Sequence, residues 1–248
     1  MTISVTNIGT LAQQAAGAAS LSVTGVAVPT GSLILLGAAE DSTTVAGGSC
    51  ADTHNTPYTA ITAPISNNNL ATNGFLQVFY FANATALLST DSITYTLQVS
   101  GVGCAISAYY ATGIATVSPL DTAVTATGVG AGAAGSVTSG TPVVAGELFI
   151  SALSKLKGAG GITSLNGSWV APFTSVGTGS NTAGSAATVG GGNQVNAGLS
   201  PITWAPTLTG PAQGANALLV AGFRPLVVIT LIPVTPPDQL FTRTNIMY

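Results

Sequence analysis

The chain has 248 residues, enough to bury one large core or two small ones, yet only 4% of them are charged, against roughly 25% in an ordinary soluble domain. Seven acidic and 4 basic residues give a formal net charge of −3, which leaves no basic patch for nucleic acid. A hydrophobic content of 46% excludes disorder, which goes with low hydrophobicity and high net charge.

Met1-Thr2-Ile3-Ser4-Val5 carries neither a basic n-region nor an apolar h-region, so no signal peptide is expected. Leu11 to Ala19 is the one stretch expected to make a helical turn or two, through Gln13-Gln14-Ala15-Ala16. From there on, strand signals dominate. Ser20 to Ala27 alternates, and Ser32 to Ala39 is an apolar run after the turn at Pro29-Thr30-Gly31. Phe75 to Ala82 and Ile93 to Gly101 are rich in β-branched and aromatic residues. Cys104 to Tyr110 alternates again, and further strands are expected at Glu147 to Leu153 and Asn216 to Phe223. Two Gly/Ser/Ala-rich stretches, Ala126 to Gly140 and Gly177 to Gly198, read equally well as linkers or as strands of small residues. The pattern predicts an all-β chain built as a single large β-sandwich or jelly-roll-like domain. An N-terminal segment (1–19), the sandwich (20–225) and an extended C-terminal arm (226–248) divide it.

A weak internal two-fold repeat accompanies this pattern. Val23-Thr24-Gly25 through Gly31-Ser32-Leu33-Ile34-Leu35 has a counterpart in Thr138-Ser139-Gly140 through Gly146-Glu147-Leu148-Phe149-Ile150. Thr96 to Gly101 followed by Cys104-Ala105-Ile106 is echoed by Thr207 to Gly210 followed by Ala217-Leu218-Leu219. Two separate domains of this size would be poor in core residues, so one shared core is expected.

The most apolar candidate for a spanning helix, Ala217 to Val234, holds Arg224, Pro225 and Pro233, and a helix of about 20 apolar residues cannot form across them. A closed membrane barrel fits the pattern less easily than a sandwich, and no membrane partner is expected. Past Arg224, the run Leu226-Val227-Val228-Ile229-Thr230-Leu231-Ile232 is apolar and β-prone. Left unpaired it would invite aggregation. It either packs on its own sheet or pairs with a neighbouring subunit by strand addition or arm exchange. In the second case the contacts fall on Leu226, Val228, Ile229, Leu231, Ile232, Leu240, Phe241 and Tyr248.

Short motifs carry a family resemblance. Thr94-Tyr95-Thr96-Leu97, Ala108-Tyr109-Tyr110 and Gly113-Ile114-Ala115 are followed by Ser118-Pro119-Leu120-Asp121. Together with Gly146-Glu147-Leu148-Phe149-Ile150, Trp204 and Ala221-Gly222-Phe223-Arg224-Pro225, the chain resembles β-sandwich proteins of tailed bacteriophages and prophages over roughly Ser20 to Pro225. The resemblance implies a virion component made in the host cytoplasm: a capsid decoration, a head or tail fibre, or an adhesive module. It departs from that group in its sparse charge and added arm.

Catalytic chemistry has few residues to work with. The single histidine, His54, lies between Asp52 and Asn55, and no Gly-x-Ser-x-Gly elbow occurs. Glu40-Asp41 with Asp52 and His54 offers carboxylates suited to calcium, but without the spacing of a known loop. Asp91 and Asp121 read as turn residues. Gly190-Gly191-Gly192 lacks the Lys-Ser/Thr of a phosphate loop. No enzyme activity, cofactor or metal is expected, and a lyase or depolymerase is the weakest reading. Cys50 and Cys104 are expected as free, partly buried thiols, with a disulfide as the alternative. Trp169, Trp204 and Tyr109, with Tyr58 and Tyr110, could instead stack on a host surface glycan, or fill core and interface. The reading is a homo-oligomeric virion structural protein that decorates or stabilises a capsid or tail. A receptor- or glycan-binding fibre module is its alternative.

Overall fold

The computed structural model describes residues 2–8, 12–14, 18–42, 47–66, 74–99, 103–128, 135–156, 173–180, 187–206 and 216–227, and is all-β, with no helix among them. The first half supplies β1 (Ser4–Asn7), β2 (Ala12–Gln14), β3 (Ser20–Val28), β4 (Leu33–Asp41) and β5 (Ser49–Asp52). It continues with the short β6 (Thr59–Ala60) and β7 (Ile65–Ser66), then β8 (Phe75–Phe81), β9 (Leu87–Thr96) and β10 (Gly103–Thr112). The second half supplies β11 (Leu120–Gly128), β12 (Val137–Thr138), β13 (Glu147–Leu156) and β14 (Thr174–Ser180). β15 (Ala187–Asn196), β16 (Thr203–Trp204) and β17 (Asn216–Phe223) complete it.

Two large antiparallel sheets dominate. One runs β1-β10-β4-β8-β6, with β2 beside β10 and β7 beside β8. The other runs β11-β17-β13-β15-β14. Small sheets accompany each: β3-β9-β5 for the first half and β12-β16 for the second. Their packing follows from alternation. Leu33, Leu35, Ala105 and Tyr109 point to one side of the first large sheet and meet Leu148, Ile150, Leu219 and Phe223 of the second in one cluster. Ile34, Leu36, Ile106 and Ala108 point to the other side, onto Val23, Ile93 and Tyr95 of the small sheet. Phe149, Leu153, Leu218 and Val220 likewise meet Val137 and Trp204. Four layers result, with the two large sheets in the middle. Strands β4, β10 and β17 are apolar on both faces for that reason.

Two elements depart from the reading of the sequence, and a third settles an alternative that it left open. Helix was expected over Leu11 to Ala19, but Ala12–Gln14 is strand and pairs with Ile106 to Cys104. Two pieces of the N-terminal segment, β1 and β2, thus lie along one edge of the first large sheet, where the ladder supplies the hydrogen bonds a short helix would have supplied. β9 begins at Leu87 and ends at Thr96, rather than spanning Ile93 to Gly101. Its first half, Leu88-Ser89-Thr90, is exposed and polar enough to look like loop. The Gly190-Gly191-Gly192 run is inside β15, opposite Leu153-Ala152-Ser151 of β13. Without side chains at the buried Gly191 and Gly192, β15 approaches β4 and β10 of the facing sheet.

The turns into β4 and β13 use the same device. Gly31 and Gly146 adopt φ of 80° and 85°, a region that costs other residues dearly. Both turns lie at one end of the molecule, because β4 starts opposite the end of β10 and β13 opposite the end of β17. That end is the pole at which the exposed large hydrophobics of the described residues gather.

Candidate functional site

The pole is made by the turns that enter β4, β9, β11 and β13, the turn leaving β15, and the segment following β17. Past β17 the chain crosses to the other half: Ala115 donates its amide to the Arg224 carbonyl at 2.9 Å, and Leu226 donates to the Gly113 carbonyl at 2.8 Å. Ile114 and Pro225 face each other in an isolated antiparallel bridge. Gly113 makes this crossing with φ of 76°.

A charged clasp secures the crossing. Arg224 donates to Asp121 Oδ1 from Nε at 3.1 Å and from its terminal nitrogen at 2.7 Å. Asp121 Oδ2 accepts from the Val143 amide, while Glu147 Oε1 accepts from the amides of Val143 and Val144. Glu147 is fully buried, and its Oε2 has no hydrogen-bond partner among the described residues. Burial holds the Glu147 carboxyl above its ordinary range, and the neighbouring Asp121 adds to this. Arg224 and the Val143 amide hold Asp121 below its own, against the burial that opposes them. Of the pair, Glu147 is therefore the carboxyl that keeps its proton to the higher pH, and Asp121 the one that ionises first. The clasp joins β11, β13 and the chain after β17.

Around the clasp the pole is apolar. Among the described residues, the exposed large hydrophobics are Leu88, Val117, Val143, Val195, Leu199 and Val227, with exposures from 46% to 81%. All six lie in or beside the turns at this end. An open groove of about 460 Å³ is lined there by Thr2, Ile3, Ala145, Gly146, Val195 and Pro225.

The other residues singled out by sequence fall elsewhere. Trp204 is fully buried against Phe173, with ring centroids 5.9 Å apart, and Tyr109 is buried between the two large sheets. Neither presents a ring face to solvent, so the stacking role has no surface to act from at these two positions. Trp169 lies outside the described residues. Tyr58 is buried and donates to Asp52 Oδ2 at 2.6 Å. Asp52 Oδ1 also accepts from the amides of His54 and Asn55, which fixes the turn. His54 Nε2 lies 3.3 Å from Asp91 Oδ2. Glu40 is buried against the Tyr95 hydroxyl at the opposite end of β4. The groups considered for calcium thus fall in two places, Glu40 beside Tyr95 and Asp52 with His54 in one turn, and no cluster of three metal-ligating side chains occurs among the described residues. Cys50 and Cys104 are free, as expected, and fully rather than partly buried. Of the arm, Leu226 is half-buried; Val228, Ile229, Leu231, Ile232, Leu240, Phe241 and Tyr248 lie outside the described residues.

The sequence left the clasp unread, because Asp121 and Arg224 are 103 residues apart and a carboxylate beside Pro119 looks like a turn residue. No helix among the described residues is long and apolar enough to cross a membrane. We found no match to this chain among protein-family models, curated proteins or solved structures.

Proposed function

We propose that this chain is a structural subunit of a virion, decorating or stabilising a capsid or tail through contacts with copies of itself and with neighbouring virion proteins, and that it performs no catalysis. The gathering of exposed Val and Leu side chains at one pole of a chain with 4% charged residues carries this reading. Contact over such a surface costs little ion desolvation, so association is favoured.

The strand orders support the virion side. In a jelly roll, one sheet takes the first, eighth, third and sixth strands and the other begins with the second and seventh; the fold is common in viral capsid domains. We read β1-β10-β4-β8 facing β3-β9-β5 in this way, and β11-β17-β13-β15 facing β12-β16 as its repeat. Further support comes from Gly31 and Gly146, and from matching hydroxyl pairs: Ser22 with Thr94 at 2.8 Å and Thr138 with Thr203 at 2.9 Å. Beside those pairs stand the buried Tyr95 and Trp204. In this alignment Ala105 corresponds to Ala217, since they pair with Ala39 and Ser154. That is one residue from the correspondence of Cys104 with Ala217 expected from sequence. The adhesive alternative draws less support, with Trp204 and Tyr109 buried.

Two measurements test the proposal. Light scattering should give an oligomer whose mass changes little between low and high salt; a monomer at every concentration refutes self-assembly. Mass spectrometry of density-purified particles from the producing host should find this chain among the particle proteins. Its confinement to the soluble fraction refutes the virion role.

A further inference from the structure

We infer that the groove at the apolar pole receives residues 228–232 from the arm of a second copy of this chain, an inference that rests on the self-assembly reading above. The groove walls come from both halves: Thr2 and Ile3 ahead of β1, Ala145 and Gly146 ahead of β13, Val195 on β15, and Pro225. None of them is charged, so an apolar strand enters without displacing water from an ion. Val227, two residues beyond Pro225 of the groove wall, is 69% exposed. The chain therefore leaves the pole beside the groove.

The segment beyond Val227 matches the groove in chemistry. Val228-Ile229-Thr230-Leu231-Ile232 is apolar and β-branched, the composition that lies flat against a half-buried surface. Entry into the same copy's groove would need a reversal directly after Pro225. Leu226 to Ile232 contains no Gly, Pro, Asn, Asp or Ser, the residues that make tight reversals, and β-branched residues resist positive φ. A second copy supplies the segment without any reversal.

Cross-linking between full-length copies tests this. A chain carrying Val195→Cys is mixed with chains carrying Val228→Cys, Thr230→Cys or Ile232→Cys and oxidised; Cys50 and Cys104 are buried and give little background. The expected result is a mixed disulfide dimer with at least one arm position, and none when Leu88→Cys replaces Val195→Cys. A second variant, Val195→Arg, should raise the concentration needed for self-association about tenfold or more with thermal unfolding unchanged, as for the loss of one buried contact. If Val195→Cys and an arm cysteine placed in one chain close within that chain on dilution, the second-copy assignment is overturned. If the wild type is oligomeric but no mixed dimer forms and Val195→Arg assembles normally, the groove is overturned and self-assembly stands. A wild type that is monomeric throughout removes both.

Discussion

The amide of Val143 lies between two carboxyls, 3.1 Å from Asp121 Oδ2 and 3.1 Å from Glu147 Oε1. Two carboxylates sharing one donor in a buried place cannot both ionise cheaply. Arg224 breaks the tie by pairing with Asp121, whose side chain is 2% exposed. Glu147 is then the carboxyl that keeps its proton to the higher pH. Asp121 is on β11, Glu147 opens β13 and Arg224 follows β17, so these contacts tie three elements together at the apolar pole.

Stability should therefore depend on pH in two directions. Glu147 has a raised folded-state value, so its contribution is fully present below the ordinary carboxyl range and is lost as pH rises through the folded value. Asp121 has a lowered value, so its contribution is present above the ordinary range and is lost as pH falls. The two define a mildly acidic optimum. Replacing Glu147→Gln keeps an acceptor for Val144 and removes the proton, which should flatten the part of the alkaline decline due to this site. Circular-dichroism melts between about pH 5 and pH 8 check this. An unchanged slope in the variant would refute the assignment.

A second alkaline loss is expected at the opposite end of β4. Burial pushes Glu40 up to about 7, while the Tyr95 hydroxyl, 2.5 Å away, pulls it down. Above that value an ionised Glu40 depends on Tyr95, and a hydrogen bond to a charged group is worth about 1.5–3 kcal/mol. Tyr95→Phe should thus cost more at pH 8.5 than at pH 5.5 in urea unfolding. Equal costs at both would mean that Glu40 keeps one protonation state throughout. The site is remote from Glu147, so the Glu40→Gln and Glu147→Gln effects should add.

Neither thiol should react in the folded chain. Cys50 and Cys104 are buried, and burial raises both above the ordinary thiol range, helped by Asp52 for the first and Glu40 for the second. With almost no thiolate and no access, both should resist a thiol reagent for hours at neutral pH and react together in denaturant. Rapid modification of one thiol under native conditions would contradict the packing around it.

Much of the fold was legible because burial imposes a period on the sequence. β3, β4, β8, β10, β13 and β17 announce themselves as alternation or as apolar runs, since each lines a core on one face or two. Strands without buried side chains do not. The polar start of β9 is exposed, and the Gly190-Gly191-Gly192 run in β15 has no side chains to pattern. The pole was less legible still. Arg224 could be read only as a break in an apolar run, and Glu147 only as part of a strand motif, because their common partner Asp121 reaches them through the fold and not through spacing.

The same layering makes one further outcome firm. The cluster between the large sheets takes Leu33, Leu35 and Tyr109 from one half and Leu148, Leu219 and Phe223 from the other. Neither half can lose its structure without exposing that face of its partner, so unfolding should be a single transition. Trp204→Ala removes a fully buried ring from the outer cluster of the second half, at a cost of about 3–5 kcal/mol. If the halves are coupled, this change lowers the urea midpoint of the whole chain, and far-UV circular dichroism and tyrosine fluorescence shift together. A variant in which the second half melts early while β3, β4 and β10 persist would show that the central cluster is too weak to bind the halves into one cooperative unit.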